Sequence, residues 1–185
     1  MKHLRLPGMA LAVFAASFAA HAADYTVQPA STLGFTGTFQ GATFDGSFKK
    51  FDAVISYDPA NLAASKFDVN VDVASAATGD ADRDQALPGS DFFDASKFPK
   101  AHFVTTGFSK DAAGNVVANG NLTLHGITKP VTLKVQFTPR AGGASLVVMT
   151  QLKRLDFGVG SGEYKDTGTI ADEVKVNGNL LLLPK

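Results

Sequence analysis

Apolar and polar residues alternate one by one through much of this chain. Val131, Leu133, Val135 and Phe137 interleave with Thr132, Lys134, Gln136 and Thr138. Phe67, Val69, Val71 and Val73 interleave with Asp68, Asn70 and Asp72. Neighbouring side chains on a strand point to opposite faces, so each segment carries one apolar and one polar face. Such segments recur with few helical patterns between them. They predict an all-β fold, an antiparallel sheet curled around an interior.

Residues 25–27 open the first strand, and Leu33, Phe35, Gly37 and Phe39 share one face of the next. Residues 43–57 read as one long strand whose phase shifts: Phe44 and Phe48 are even-numbered, while Phe51, Ala53 and Ile55 are odd. An extra residue at Lys49-Lys50, forming a β-bulge or corner, accounts for the shift. Gly41 and Gly46 suit tight bends in a curved sheet. Asp58-Pro59-Ala60-Asn61 is a turn. Further strands fall at residues 67–73, 101–108, 116–124, 130–137, 146–152 and 173–183. Residues 76–100 break the pattern. There Asp80 or Thr78 caps a short helix through Leu87, which Pro88-Gly89 ends. Residues 158–169 form a glycine-rich loop. The count is about eight strands, and an eight-stranded barrel is just wide enough to be filled by side chains or to hold one small ligand. No repeat, linker or second domain interrupts the sequence.

Residues 1–22 read as a cleavable export signal. Lys2 and Arg5 make a positive start, an apolar run covers residues 9–20, and Ala20-His21-Ala22 is a small-x-small cleavage site. The run is too short to span a bilayer comfortably. Taking 22 of 185 residues away leaves 163, enough for one domain, residues 23–185. Lys2 and Arg5 leave with the signal, so 15 of the 17 basic residues face 17 acidic ones, a formal charge of −2. That excludes a basic footprint for nucleic acid and a polybasic membrane patch. The absence of cysteine excludes disulfides and thiolate-held zinc, iron–sulfur or haem groups. Phe14 and Phe18 lie in the signal, which leaves thirteen of the fifteen Phe in the domain. Burying one Phe is worth about 1.5–3 kcal/mol, so these rings are expected to dominate the interior.

Candidate chemistry is sparse. Asp80-Ala81-Asp82-Arg83-Asp84 spaces carboxylates like a calcium loop, but the sixth position is Gln85, where the sharp turn needs Gly. Helix capping with an Arg–Asp pair explains the same residues. His102 and His125, the histidines of the domain, would need a nearby carboxylate to make a metal site. Asp156-Phe157-Gly158 lacks the rest of the kinase signature set. Gly158-Val159-Gly160-Ser161-Gly162 is followed by no helical pattern and is no phosphate cradle. Asn121-Leu122-Thr123 is a glycosylation sequon buried in a strand pattern. No nucleophile elbow, Ser–His–Asp set or carboxylate pair marks an enzyme, and no catalytic residue or metal ligand is assigned.

Several segments together carry a resemblance. They are Gly46-Ser47-Phe48-Lys49-Lys50-Phe51, RDQALPGSDFFDASKFPKAHF (83–103), GNLTLHGITKPVTL (120–133), and RLDFGVGSG (154–162) with Asp172-Glu173-Val174. In this combination and order the domain resembles the YceI-like family of bacterial exported proteins, also called polyisoprenoid-binding periplasmic proteins. The resemblance implies an extended, antiparallel, eight-stranded lipocalin-like β-barrel with a short helical insertion near residues 80–95. It also implies an elongated apolar cavity for a long-chain amphipathic lipid: a polyisoprenoid, an isoprenoid quinone or a fatty-acid derivative. A cytochrome b561-type membrane partner and a homodimer are further implications. Many relatives carry His-Ser where this chain has Ala30-Ser31, so any role of that histidine is absent here.

The expected function is therefore periplasmic, non-catalytic lipid binding and carriage, with no cofactor beyond the bound lipid. Inward parity places Phe35, Phe39, Phe44, Phe48, Phe67, Val69, Phe103, Leu122, Leu124, Leu133, Val135 and Phe137 on the tunnel wall. Phe92 and Phe93 are expected to gate it. Arg83, Asp84, Arg154 and Asp156 stand either at its polar mouth or as anchors of the loops. Two other classes stay open: a quinone-linked redox accessory or enzyme using His102 or His125, and a filled barrel acting as a stress-response or protein-interaction module.

Overall fold

The computed structural model describes residues 22–185, so the expected export signal lies outside the described residues but for Ala22. The described strands are β1 (Ala23–Val27), β2 (Thr32–Phe39), β3 (Ala42–Phe48), β4 (Phe51–Tyr57), β5 (Lys66–Asp72) and β6 (Ala76–Ala77). After the helix α1 (Ala81–Ala86) come β7 (Lys100–Lys110), β8 (Val116–Leu124), β9 (Ile127–Arg140), β10 (Gly143–Lys153) and β11 (Glu173–Pro184). Antiparallel pairing runs β1-β4-β5-β7-β8-β9-β10-β11, and β11 returns to β1 at Tyr25↔Pro184. The sheet is thus a closed barrel of eight staves, which leaves few free edges.

Three staves are broken. β11 pairs with β1 near its end (Val27↔Leu182) and with β2 further back (Val176↔Phe35), so β1 and β2 are two lengths of one stave. β3 and β4 are a second, paired with β2 and β1 respectively. β5 and β6 are a third, interrupted by the 3-10 turn Val73–Ser75. The phase shift in the sequence at Lys49-Lys50 is the break in the second stave.

The insertion is mostly turn. Asp80 accepts a hydrogen bond from the Arg83 N–H at 3.0 Å and caps α1, which ends after only six residues. The β8–β9 hairpin is tighter than the pattern suggested. His125 and Gly126 both take left-handed φ, 51° and 75°, which suits a two-residue hairpin turn.

The interior divides into two ends. At one, Ile55, Tyr57, Phe67, Ala118, Val135, Ala144, Leu146, Leu180 and Leu182 form a solid core. Tyr57 lies 4.8 Å from Phe137 and 5.9 Å from both Phe67 and Phe108 (ring centroids), and Phe67 lies 4.9 Å from Phe108. At the other end Phe35, Val71, Leu87, Phe93, Phe157 and Val159 gather around a hollow, and Val73 belongs to the same cluster. Along β8 the inward order is Leu124 and Leu122 at the hollow end, then Gly120, then Ala118 at the solid end. The Phe103 ring lies over Gly120.

Candidate functional site

The hollow end holds an apolar chamber of about 190 Å³. Its wall starts with the β2–β3 hairpin, whose register sets Phe35 opposite Gly46 and Phe44 opposite Gly37. Each ring lies over the opposing glycine. A Cβ at Gly37 would sit 2.7 Å from the Phe44 ring, and one at Gly46 would collide with Phe35. Gly46 therefore serves as a bed for a ring, and of the two glycines expected to bend the sheet only Gly41 takes a turn conformation, with φ 79°. Rings laid along the wall leave the lumen open. Leu122 and Leu124 of β8, Leu152 of β10, and Val174 and Val176 of β11 complete the barrel side. Leu87, Phe92 and Phe93 close it from the insertion, and Phe157, Val159, Ile170 and Ala171 from the segment after β10.

That last segment, residues 158–172, is a lid. Gln40 N–H donates to Thr169 O at 2.8 Å and Ala171 N–H to Thr38 O at 3.0 Å, stitching it to the tip of the β2–β3 hairpin. Gly160 N–H donates to Asp91 O at 2.8 Å, and Tyr164 stacks 4.9 Å from Phe92. Arg154 holds it from beneath. The side chain is 6% exposed and donates to five carbonyl oxygens: Nε to Ala171, Nη1 to Val159 and Gly160, Nη2 to Tyr164 and Ile170. A guanidinium has five N–H groups, so none is left over. Burial pulls its pKa below the ordinary value, and the charge of Asp172 works against that shift. Among the described residues, no buried side-chain nitrogen or oxygen lacks a partner.

The sequence-predicted residues divide accordingly. Phe35, Phe44, Phe48, Phe92, Phe93, Leu122, Leu124 and Arg154 line the chamber. Val69 packs behind it. Phe67, Leu133, Val135 and Phe137 face inward as their parity requires but lie in the solid end, so the hollow is no tunnel along the barrel. Phe103 is buried but does not line the chamber; its ring covers Gly120. Phe39 is 39% exposed at the hairpin tip. Arg83 places its guanidinium 4.0 Å from the centre of the Phe44 ring, and its Nη1 donates to Thr78 Oγ1 at 3.2 Å. Asp84 accepts from Thr78 N–H at 2.6 Å and Thr78 Oγ1 at 2.7 Å, which holds its carboxyl below the usual range. Asp156 lies outside, 3.4 Å from Lys129. Arg83, Asp84 and Arg154 are engaged as loop anchors. The pattern missed Leu87, Leu152, Phe157, Val159 and Ile170. Val174 and Val176 share the parity of Leu180 and Leu182 and were readable; the lid residues carry no period at all.

The histidines are occupied elsewhere. His102 Nε2 lies 2.8 Å from Asp68 Oδ1, and this pairing holds the Asp68 carboxyl below its ordinary range. His125 Nδ1 lies 3.1 Å from Phe157 O, with its ring edge-on to Phe98. Neither lines the chamber. Among the described residues, no three His, Cys, Asp or Glu side chains are grouped to hold a metal.

A closed antiparallel barrel, solid at one end and hollow under a lid at the other, defines a lipocalin-like protein. The chain belongs to the YceI-like family, whose domain matches residues 25–182. A UPF0312 protein of Vibrio cholerae is 38% identical over 178 residues, covering 89% of this chain and 94% of that one. Among solved structures, BcnA of Burkholderia cenocepacia superposes with a TM-score of 0.79 at 34% identity, over 84% of this chain and 99% of that one. A polyisoprenoid binding domain from Saccharophagus degradans, implicated in plant cell wall breakdown, gives 0.63 at 18% identity, over 89% and 100%, a likeness of fold.

Proposed function

We propose that this chain is an exported, non-catalytic carrier of a long-chain amphipathic lipid: a polyisoprenoid, an isoprenoid quinone or a fatty-acid derivative. The observation that carries the reading is a chamber walled by Phe, Leu and Val whose neighbouring polar groups are already satisfied. Such a wall offers nothing to a polar metabolite and favours a hydrocarbon. The Saccharophagus degradans domain that shares this fold is a polyisoprenoid binding domain, and a polyisoprenoid is a ligand of that class. The signal-like start of residues 1–22 supports a periplasmic location. The cytochrome b561-type partner and the homodimer rest on the family resemblance.

The chamber's size says how a lipid would sit. A dry apolar cavity of about 150 Å³ takes one benzene ring, and drug-sized pockets run about 300–1,000 Å³. At about 190 Å³ the chamber as it stands takes the tip of a chain. Burying five carbons there gains roughly 4 kcal/mol gross at 0.8 kcal/mol per methylene. A longer ligand must displace rings or lift the lid. Native mass spectrometry of the mature protein from its host's periplasm, with organic extraction, tests the reading. A single co-purifying prenyl or acyl lipid is expected. A clean apo mass with no uptake of added prenyl lipids would overturn it and favour the barrel as an interaction module.

A further inference from the structure

The chamber gives a lipid's tail a place and its headgroup none, because Arg154 has spent every donor. A second hollow lies beside it. The first two staves break at the same level, at residues 28–31 and at Lys49-Lys50, and the wall parts between them. Pairing of the two staves stops at Leu33↔Phe48 and resumes at Tyr25↔Ile55. Both lips turn away from the gap. Gln28 N–H and Ser31 Oγ bond to Leu181 O, while Lys49 N–H and Lys50 N–H bond to Ser75 O and Ser75 Oγ.

The result is a cleft of about 940 Å³. Leu33, Phe48, Phe51 and Ala53 give it an apolar floor, and Lys49, Lys50, Lys100 and Lys185 line it as well. Among the described residues, none of these lysines has a carboxylate within ion-pair distance. Asp52 and Asp72 share the lining, Asp52 accepting from Asn70 at 3.2 Å and Asp72 from the Ala74 N–H at 3.1 Å; these bonds do not cancel their charge, but the four lysine side chains outnumber the two aspartates and leave a positive excess. Phe48 is the one described residue that lines both cleft and chamber. Its ring leans on Phe35 at 5.3 Å and Phe93 at 6.0 Å. A change of Phe48 rotamer would join the two hollows, a motion open to a half-buried side chain.

We infer that the cleft is a headgroup site for an anionic amphiphile, a phosphate or carboxylate on an isoprenoid or alkyl chain. The tail passes Phe48 into the chamber, and Lys49, Lys50 and Lys100 meet the charge. The inference rests on the lipid-carrier reading and adds a sign of charge, a port in the barrel wall and a gate. Because the lysines are exposed, the attraction is modest and falls with salt.

The test titrates the full mature chain with farnesyl phosphate and with farnesol, which share a tail, and with dodecanoate and dodecanol. The wild type is expected to bind the anionic member of each pair about tenfold tighter at low salt. Lys49→Gln, Lys50→Gln and Lys100→Gln together should bring that ratio near one while farnesol binding stays unchanged. Phe48→Trp, which enlarges the gate, should weaken both members of each pair. Equal binding of both members by the wild type, or a ratio that survives the triple variant, overturns the headgroup site and leaves the carrier standing. Competition by inorganic phosphate as strong as by farnesyl phosphate overturns the coupling of head to tail. Failure of all four ligands removes carrier and site together.

Discussion

The two ends of the barrel are built from the same staves with the same alternation, yet one is solid and the other hollow. At the solid end, rings from opposite walls meet. Tyr57 stands on β4 and Phe137 on β9, half the barrel apart in pairing order, and their centroids are 4.8 Å from each other. Small residues, Ala118 and Ala144, make room for them. At the hollow end the rings of the barrel wall come from neighbouring strands, while Phe92, Phe93 and Phe157 cap it from the insertion and the segment after β10. Phe35 and Phe44 lie over Gly46 and Gly37 of their own hairpin and touch each other edge-on. The period of two decides which side chains face inward. The pairing of large against small decides whether the inside is filled.

The largest effect should separate the ends directly. Phe67→Ala, at a side chain 1% exposed in the solid end, should cost about 3–5 kcal/mol in urea unfolding. Phe44→Ala should cost roughly 1–2 kcal/mol, because part of its contact is already void. Equal costs would mean the hollow end is packed as tightly as the solid one. Next comes the lid. Arg154→Met orphans five carbonyl groups and should cost about 2–4 kcal/mol, with hydrogen-exchange protection lost in residues 158–172 before the solid end. Arg154→Lys, with three donors in place of five, should not restore it.

A smaller effect sharpens the contrast further. Gly46→Ala drives the Phe35 ring off its bed and into the chamber, for about 1–3 kcal/mol. It should abolish lipid uptake while the solid end keeps its exchange protection; retained uptake would show that the ring has another place to go. The smallest effect is acid. Thr78 holds Asp84, Lys97 holds Asp94 and Thr169 holds Asp166 below the ordinary carboxylate range. A carboxylate with a lowered folded pKa stabilises fully above its unfolded value and loses that contribution as pH falls through the folded one. Urea midpoints should therefore fall from about pH 5 to about pH 3. Asp68, held by His102, and Asp111, held by Asn115, are lowered as well and lie outside the insertion and the lid, so acid should loosen both ends together. Asp84→Asn should flatten the slope.

Much of the wall was legible from the chain. The parity switch from Phe48 to Phe51 located the stave break, and of the two caps open in the sequence, Asp80 and Thr78, it is Asp80 that starts α1. Those features are local, written in neighbours along the chain. Phe67, Val135 and Phe137 show the limit of such reading. Their inward parity was right, but the rings that fill their end, Tyr57 and Phe108, arrive from other strands. Arg154 is a similar case: its spacing gave either a mouth or an anchor, and only the five carbonyls of residues 159–171 decide it.

The seam between β1 and β11 also sets when the barrel can exist. Residues 25–27 pair with residues 182–184, so the ring stays open until the last strand has been synthesised. Pairings this distant in sequence form slowly, in about milliseconds to seconds for all-β domains. Until then the emerging polypeptide remains an unclosed thread, a form in which it can still be passed end-first through a narrow pore.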